Sequence, residues 1–379
     1  MSSTRRTAGS VAGALVSVAL ALGSCVAVDP ATPPGGPGPT PALFARPVVG
    51  NLSQPWDIAF LPVPPRSMLF TEKGGDISVL RKGAKQVIHH PADVVVESEG
   101  GMMGLAVDPN WAVNRFLYVC MLTESDVRVV RLTTTADLTA VTARSDIVTG
   151  MPRSSGRHSG CRLRFGPDDH LWISTGDAAE GTNPQDLGSL GGKVLRVDQN
   201  GAAAPDNPDL GGDPRIYTYG HRNVQGLAFR PGTSQAFSVE HGTSCDDEVN
   251  RLVAGANYGW DPVPGYNEAV PMTDLVKFPS AQEASWSSGC PTIAPSGGTF
   301  LDGDQWGGWD GALVLAVLKD RHLRVLFLDG TGDAVTSEHE VVGEFDTRLR
   351  SVVQGPGGLL YVATDVGSGD GLIWQLIPI

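Results

Sequence analysis

One phrase recurs along this chain: an apolar strand ending in a turn, a short loop, then a second apolar strand. It reads Trp56-Asp57-Ile58-Ala59-Phe60-Leu61-Pro62, then Met68-Leu69-Phe70-Thr71. It returns as Gly104-Leu105-Ala106-Val107-Asp108-Pro109 with Phe116-Leu117-Tyr118-Val119, and as Arg162-Leu163-Arg164-Phe165-Gly166-Pro167 with Leu171-Trp172-Ile173-Ser174. It returns again as Gly226-Leu227-Ala228-Phe229-Arg230-Pro231 with Gln235-Ala236-Phe237-Ser238, and as Ser351-Val352-Val353-Gln354-Gly355-Pro356 with Leu359-Leu360-Tyr361-Val362. A fainter copy runs from Ser296 through Ala312-Leu313-Val314-Leu315. Several copies carry a further short strand, such as Ile77-Ser78-Val79-Leu80, so each is a small antiparallel sheet of three or four strands. One such sheet cannot bury both faces alone, and neighbours must stack. About six copies predict an all-β fold, a six-bladed β-propeller of four-stranded antiparallel blades. An irregular array of β-sandwiches is the competing reading. The 48 Gly and 28 Pro, spread along 379 residues, fit a turn-rich chain. The long stretches from Gly176 to Lys193 and from Asn257 to Gly289 read as loops, which in a propeller surround the channel on one face and carry function.

The N-terminus predicts export. Arg5 and Arg6 precede an apolar stretch from Val11 to Leu22, too short to span a bilayer comfortably, which ends in Leu22-Gly23-Ser24-Cys25. That ending resembles a bacterial lipobox, whose cysteine is lipidated. The Pro- and Gly-rich run from Asp29 to Pro41 cannot bury a core and reads as an extended tether. The expected plan is a signal peptide over 1–24, lipidated Cys25 and tether over 25–42, and the propeller over 43–379. Cys25 would anchor the domain to the membrane on its extracytoplasmic side. The net charge is −13, with no basic run beyond the N-terminus, which excludes a nucleic-acid groove. Setting Cys25 aside leaves Cys120, Cys161, Cys245 and Cys290, an even number suited to disulfides in an exported chain. Three pairings are open. Cys120 with Cys161 and Cys245 with Cys290 are the expected ones, because each joins segments expected to be neighbours.

Four polar clusters stand out. His158 sits just before a strand, at a loop edge where a neutral imidazole can take a proton near neutral pH; a surface histidine is the plainer alternative. Arg222 beside Asn223 can present planar donors to an anionic or carbonyl ligand. The turn from Glu240 to Asn250 gathers carboxylates suited to a hard cation, although no EF-hand spacing is present. Lys319, Arg348 and Arg350 could bind a polyanion, the two arginines sharing a strand face by their period of two.

Together these motifs resemble the soluble PQQ-dependent glucose dehydrogenases and their aldose sugar dehydrogenase relatives, over the whole chain after the tether. Gly101-Met102-Met103-Gly104-Leu105-Ala106 looks like that family's Gly-Leu-Leu-Gly-Leu-Ala, and His158-Ser159-Gly160-Cys161-Arg162-Leu163 its His-x-Gly-Gly-Arg-Leu. Thr175-Gly176-Asp177, Gly191-Gly192-Lys193-Val194-Leu195-Arg196, Gly220-His221-Arg222-Asn223, Asp247-Glu248 and Asn257-Tyr258-Gly259-Trp260 follow in the family's order. The resemblance implies binding of pyrroloquinoline quinone (PQQ) and Ca2+ over the channel. It implies His158 as the base on the anomeric hydroxyl of an aldose, with hydride passing from C1 to the quinone to leave a lactone. Arg222 would polarise the quinone carbonyl with Asn223 beside it. Lys319, Arg348, Arg350 and Thr364 would bind the tricarboxylate. Calcium would meet the backbone of Gly242 and Thr243, with Glu248 and Tyr258 as further contacts. Four positions depart from the pattern: Glu99 where Gln is frequent within reach of the cofactor, Arg157 before the histidine, Cys161 for the second Gly, and Gly242-Thr243 for Gly-Pro. A carboxylate at 99 would repel a polyanion unless protonated or turned away. No haem motif Cys-x-x-Cys-His occurs, so electrons would leave to a separate acceptor.

Two other functions compete. A non-catalytic propeller lipoprotein binding a glycan or protein would be favoured by Glu99 and Arg157, and would fail to bind PQQ. A calcium-dependent lactonase-type hydrolase needs carboxylate and Asn ligands on a channel metal, a set the sequence does not display.

Overall fold

The structure is a computed structural model that describes residues 24–26, 39–343 and 345–379. All but Ser24 of the expected signal peptide, and most of the expected tether, lie outside the described residues. Ser24–Val26 pairs antiparallel with the start of the strand Leu43–Leu52.

Six antiparallel sheets form the fold. Their innermost strands are Pro55–Phe60, Met102–Val107, Gly160–Phe165, Val224–Phe229, Pro295–Phe300 and Leu349–Gln354, one in each of the six repeats. Each contacts the inner strand of the next blade, and the sixth contacts the first, closing a ring. The fold is a six-bladed β-propeller. The sixth blade draws on both chain ends. Leu349–Gln354, Leu360–Thr364 and Gly371–Pro378 are completed by Leu43–Leu52, whose register runs from Leu43 opposite Pro378 to Leu52 opposite Gly371. This seam ties the two ends of the domain together through main-chain hydrogen bonds.

Burial follows position in the blade. Second strands such as Met68–Glu72, Leu171–Thr175 and Leu313–Val317 are buried at every residue, because neighbouring blades cover both faces. Outer strands such as Val141–Met151 are largely exposed. Inner strands crowd towards the axis, which explains the recurring inner-strand glycine: a Cβ on Gly104 would collide with the Cys161 carbonyl of the next blade. A buried ion pair fills the axis. Arg162, fully buried, pairs with Asp57 at 2.6 Å and donates to the carbonyl of Gln225 at 3.0 Å. Asp57 also accepts from Arg164, from the Leu105 amide and from the Ser351 hydroxyl. Burial alone would raise the Asp57 pKa, but the Arg162 and Arg164 charges outweigh it and hold the carboxyl ionised. Inner strands of five blades are thereby stitched together where apolar side chains cannot reach across the channel.

Both expected disulfides are present. Cys120–Cys161 joins a second strand to the neighbouring inner strand, and Cys245–Cys290 ties the turn after Ala236–Glu240 to the segment after Trp286–Ser287.

Candidate active site at the channel mouth

Inner and second strands run antiparallel, so each inner strand begins at the face where the second strand ends. Residues flanking those points therefore gather at one mouth of the channel. Glu99, His158, Arg222 with Asn223, and Arg348 with Arg350 stand at the starts of inner strands; Lys73, Asp177, His241, Lys319 and Asp365 follow second strands.

His158 is buried, and its Nδ1 lies 2.8 Å from Asp177 Oδ1 and 3.0 Å from the Tyr266 hydroxyl. Asp177 also accepts from the Ala179 amide (2.7 Å), Trp260 Nε1 (2.8 Å) and Tyr266 (2.7 Å). Burial, and next the Asp177 charge, push the Tyr266 pKa upward, so its hydroxyl remains a donor. Four donors converging on one acceptor-only carboxylate leave the His158 proton on Nδ1. Nε2 has no partner among the described residues and keeps its lone pair for an incoming proton. His158 sits in the left-handed region at φ 52°, a local strain of the kind held at functional sites. Gly176 opposite it permits this arrangement, since a Cβ there would collide with the His158 carbonyl.

Arg222 is held beside this pair. Its Nη1 donates to the carbonyls of His241 (3.0 Å) and Gly242 (2.7 Å), and its Nη2 to Glu268 Oε1 (2.7 Å), which also accepts from Arg157 at 2.6 Å. Its amide donates to Glu240, which is in turn gripped by His221 and Asn250. Asn223 Nδ2 donates to Glu99 Oε2 at 2.9 Å, and its Oδ1 accepts from the Gly160 amide. Burial alone would raise the Glu99 pKa, but the hydrogen bond from Asn223 and the nearby Arg350 charge help to hold it below the usual range. Glu99 is therefore ionised and turned into the site.

Arg350 and Arg348 both donate to Asp365 Oδ2, at 2.9 and 3.2 Å. Lys73 stands near Arg350, Asp365 and Glu99, with burial and then the Arg350 charge lowering its pKa. Lys319 reaches back to the Thr292 carbonyl at 2.6 Å. Among the described residues, three buried nitrogens at this mouth have no hydrogen-bond partner: Arg222 Nε, Arg350 Nε and His241 Nε2.

His158, Arg222, Asn223, Glu99 and Arg350 are thus linked in one contiguous network. Thr364 is turned away from it. Its hydroxyl donates to the Leu372 carbonyl at 3.3 Å and accepts from the Leu372 amide at 2.9 Å inside its own blade, so its one proton is not available to a cofactor. Three of the four residues expected around calcium already have partners among the described residues. The Gly242 carbonyl already accepts from a guanidinium, which would repel a cation, while Thr243 lies in the same turn. Burial, and then the neighbouring Glu240, raise the Glu248 pKa well above normal, and its carboxyl accepts from Asn250 Nδ2 at 3.3 Å. The Tyr258 hydroxyl is bonded to the Arg251 carbonyl at 2.6 Å. Among the described residues no group of three or more His, Cys, Asp or Glu could hold a metal ion.

Sequence reasoning missed Asp177 as the partner of His158, and also Tyr266, Glu268 and Lys73. Asp177 was marked only as part of Thr175-Gly176-Asp177. Tyr266 and Glu268 lie in the long loop between Glu248–Leu252 and Trp286–Ser287, where no periodicity signals which side chain turns inward.

The fold and site define a propeller with a histidine–carboxylate pair at a channel mouth supplied with arginines. A family model described as Glucose / Sorbosone dehydrogenase matches residues 52–375, and the chain belongs to that family. It is 31% identical over 355 residues to the aldose sugar dehydrogenase YliI of Escherichia coli K12, covering 87% of this chain and 94% of that protein. It is 26% identical over 427 residues to the quinoprotein glucose dehydrogenase B of Acinetobacter calcoaceticus, covering 86% of this chain and 88% of that one. The PQQ-bound aldose sugar dehydrogenase of Streptomyces coelicolor superposes with a TM-score of 0.75 at 28% identity, covering 90% of this chain and 99% of that chain.

Proposed function

We propose that this chain is an extracytoplasmic, PQQ-dependent aldose dehydrogenase that oxidises its sugar at C1 to a lactone. The observation that carries the reading is the fixed tautomer of His158, a base with its Nδ1 proton held and its Nε2 lone pair open, beside Arg222. The quinoprotein and PQQ-bound relatives support the cofactor, and the two disulfides support the compartment.

The mouth fits an anionic, carbonyl-rich cofactor. Arg222 Nε, Arg350 Nε and His241 Nε2 are buried and unpartnered among the described residues, and Arg348, Lys73 and Lys319 stand at the same face. Arg222 and Asn223 would face the quinone carbonyls, and Arg350, Arg348 and Lys319 the carboxylates. When bound, PQQ supplies a two-electron acceptor for the hydrogen leaving the sugar C1 as hydride. His158 Nε2 takes the anomeric hydroxyl proton as the C1–O bond becomes a carbonyl. Asp177 and Tyr266 hold the imidazole in place and stabilise the imidazolium that forms. A general base of this kind contributes about 10²- to 10⁴-fold. Calcium enters no step here, and the titration with and without it decides whether the site uses it. Electrons leave to a separate acceptor, and lipidated Cys25 would keep the domain at the membrane.

The test is a titration of the purified chain with PQQ, with and without calcium, followed by a panel of aldoses and dye reduction. Dye reduction that needs PQQ, and is lost in His158→Ala while PQQ still binds, is the expected result. Absence of PQQ binding at large excess refutes the reading and leaves a glycan- or protein-binding propeller.

A further inference from the structure

Lys193 is wholly buried and has no carboxylate within ion-pair distance among the described residues. A lysine ammonium has three donors. All three are used on main-chain carbonyls: Asn183 at 2.6 Å, Gly191 at 2.6 Å and Pro184 at 3.1 Å. Burial lowers the Lys193 pKa to about 7, with the charges of Asp186 and Asp177 opposing it, and a methionine would fill similar space without the cost of burying the amine. Its three acceptors belong to the loop between the second and third strands of the third blade, and that loop is knotted to both halves of the site. On one side, Asn183 Nδ2 donates to the Asp177 carbonyl at 2.9 Å, and the Gly192 amide to the Gly176 carbonyl at 2.9 Å. These are the residues that hold His158. On the other side, the Pro184 carbonyl also accepts from the Gly220 amide at 3.0 Å, and the His221 amide donates to the Gly192 carbonyl at 3.2 Å. These precede Arg222. The two sides meet where the Asp177 amide donates to the Arg222 carbonyl at 2.8 Å.

We infer that Lys193 is a positioning residue, a buried amino group whose contacts with three main-chain carbonyls hold the Asp177-bearing turn and the Arg222-bearing turn in one register, so that base and guanidinium keep their mutual placement. Its effect on turnover rests on the dehydrogenase reading; its effect on loop order does not.

Hydrogen exchange on the full chain without cofactor, comparing wild type with Lys193→Met, tests the inference. The amides of Asp177, Gly192, Gly220 and His221 should exchange at least about tenfold faster, while those of Leu163, Ile173 and Leu195 in the strands of the same blade hold their protection. With PQQ and sugar, kcat should fall at least about tenfold and KM for the sugar move less than about threefold. Unchanged exchange at the four turn amides overturns the inference. So does equal loss throughout the blade, which would mark Lys193 as an ordinary core residue. Should Lys193→Met fail to fold, Asn183→Ala spares the buried amino group and cuts one link. The Asp177 amide should then exchange faster while Gly220 is unchanged, and an unmoved Asp177 overturns the inference. A wild type that reduces no dye with PQQ sinks the dehydrogenase reading, while the exchange pattern still decides the role of Lys193.

Discussion

Asp177→Asn isolates what the carboxylate does for His158. The replacement is nearly isosteric, but one acceptor oxygen becomes an NH2 donor. Two orientations are available. With the amide oxygen towards His158 and the Ala179 amide, the new NH2 faces Trp260 Nε1 and Tyr266; the tyrosine hydroxyl can rotate to accept, and the indole N–H is orphaned. With the amide turned over, Trp260 and Tyr266 are satisfied, but the NH2 meets His158 Nδ1, which must then accept. That moves the histidine proton to Nε2 and blocks the base, and it orphans the Ala179 amide. Either orientation strands one buried donor, at a cost of about 1–3 kcal/mol. The domain is large, so the melting temperature falls by only about 2–4 °C for each kcal/mol. Activity responds far more. In the first orientation the imidazolium loses the carboxylate's charge, and in the second the base also loses its open Nε2, so kcat should fall by about 10²- to 10⁴-fold in either case. The assay is PQQ-dependent dye reduction with saturating aldose, paired with thermal unfolding of the same preparations and a PQQ titration. A folded Asp177→Asn that binds PQQ and keeps kcat within about threefold of wild type would refute the tautomer argument.

Three further outcomes are expected. Glu99→Gln removes an ionised carboxylate from a site for a polyanion; a unit charge roughly 8 Å away at an effective dielectric of about 40 contributes about 1 kcal/mol, so Kd for PQQ should drop about fivefold, and an unchanged Kd by calorimetry would show that Glu99 does not face the cofactor. Arg162→Met leaves Asp57 buried without its closest partner and should lose about 3–5 kcal/mol in denaturant unfolding; pairing it with Asp57→Leu should cost less than the sum of the two single changes, and strict additivity would remove the axial pair from its keystone role. Burial raises the Asp365 pKa, but Arg350 and Arg348 outweigh it and hold the group below its ordinary value. Its stabilising contribution is therefore fully present above the unfolded-state pKa of about 4 and is lost as the pH falls through the lower folded value. Asp365→Asn should accordingly melt earlier than wild type at neutral pH, with the gap closing in acid; a gap that widens in acid contradicts the assignment.

Much of this protein is legible in one dimension. The six strand–turn–strand phrases each became an inner and a second strand, because the alternation of apolar runs with Gly and Pro turns is a local property and a lone blade has no way to bury its faces. Even the fainter copy after Ser296 is a full blade. The residues at the starts of inner strands, His158, Arg222, Asn223, Arg348 and Arg350, were identifiable for the same reason: the strand edge marks the channel mouth. Of the three cysteine pairings open to the sequence, the structure holds the one that joins segments expected to be neighbours. What the chain order does not contain is the meeting of side chains from distant loops. Tyr266 reaches His158 across 108 positions of sequence and Glu99 reaches Asn223 across 124. No local pattern records that the Gly242 carbonyl meets Arg222, that the Thr364 hydroxyl turns into its own blade, or that Leu43–Leu52 closes the ring against the C-terminus. Those outcomes are decided by packing around a common axis, where a group's partner is whatever the neighbouring blade presents. Local sequence specifies the blades and their functional edge; only ring closure determines which donors meet which acceptors at the mouth, and hence the proton on His158 and the charge on Glu99.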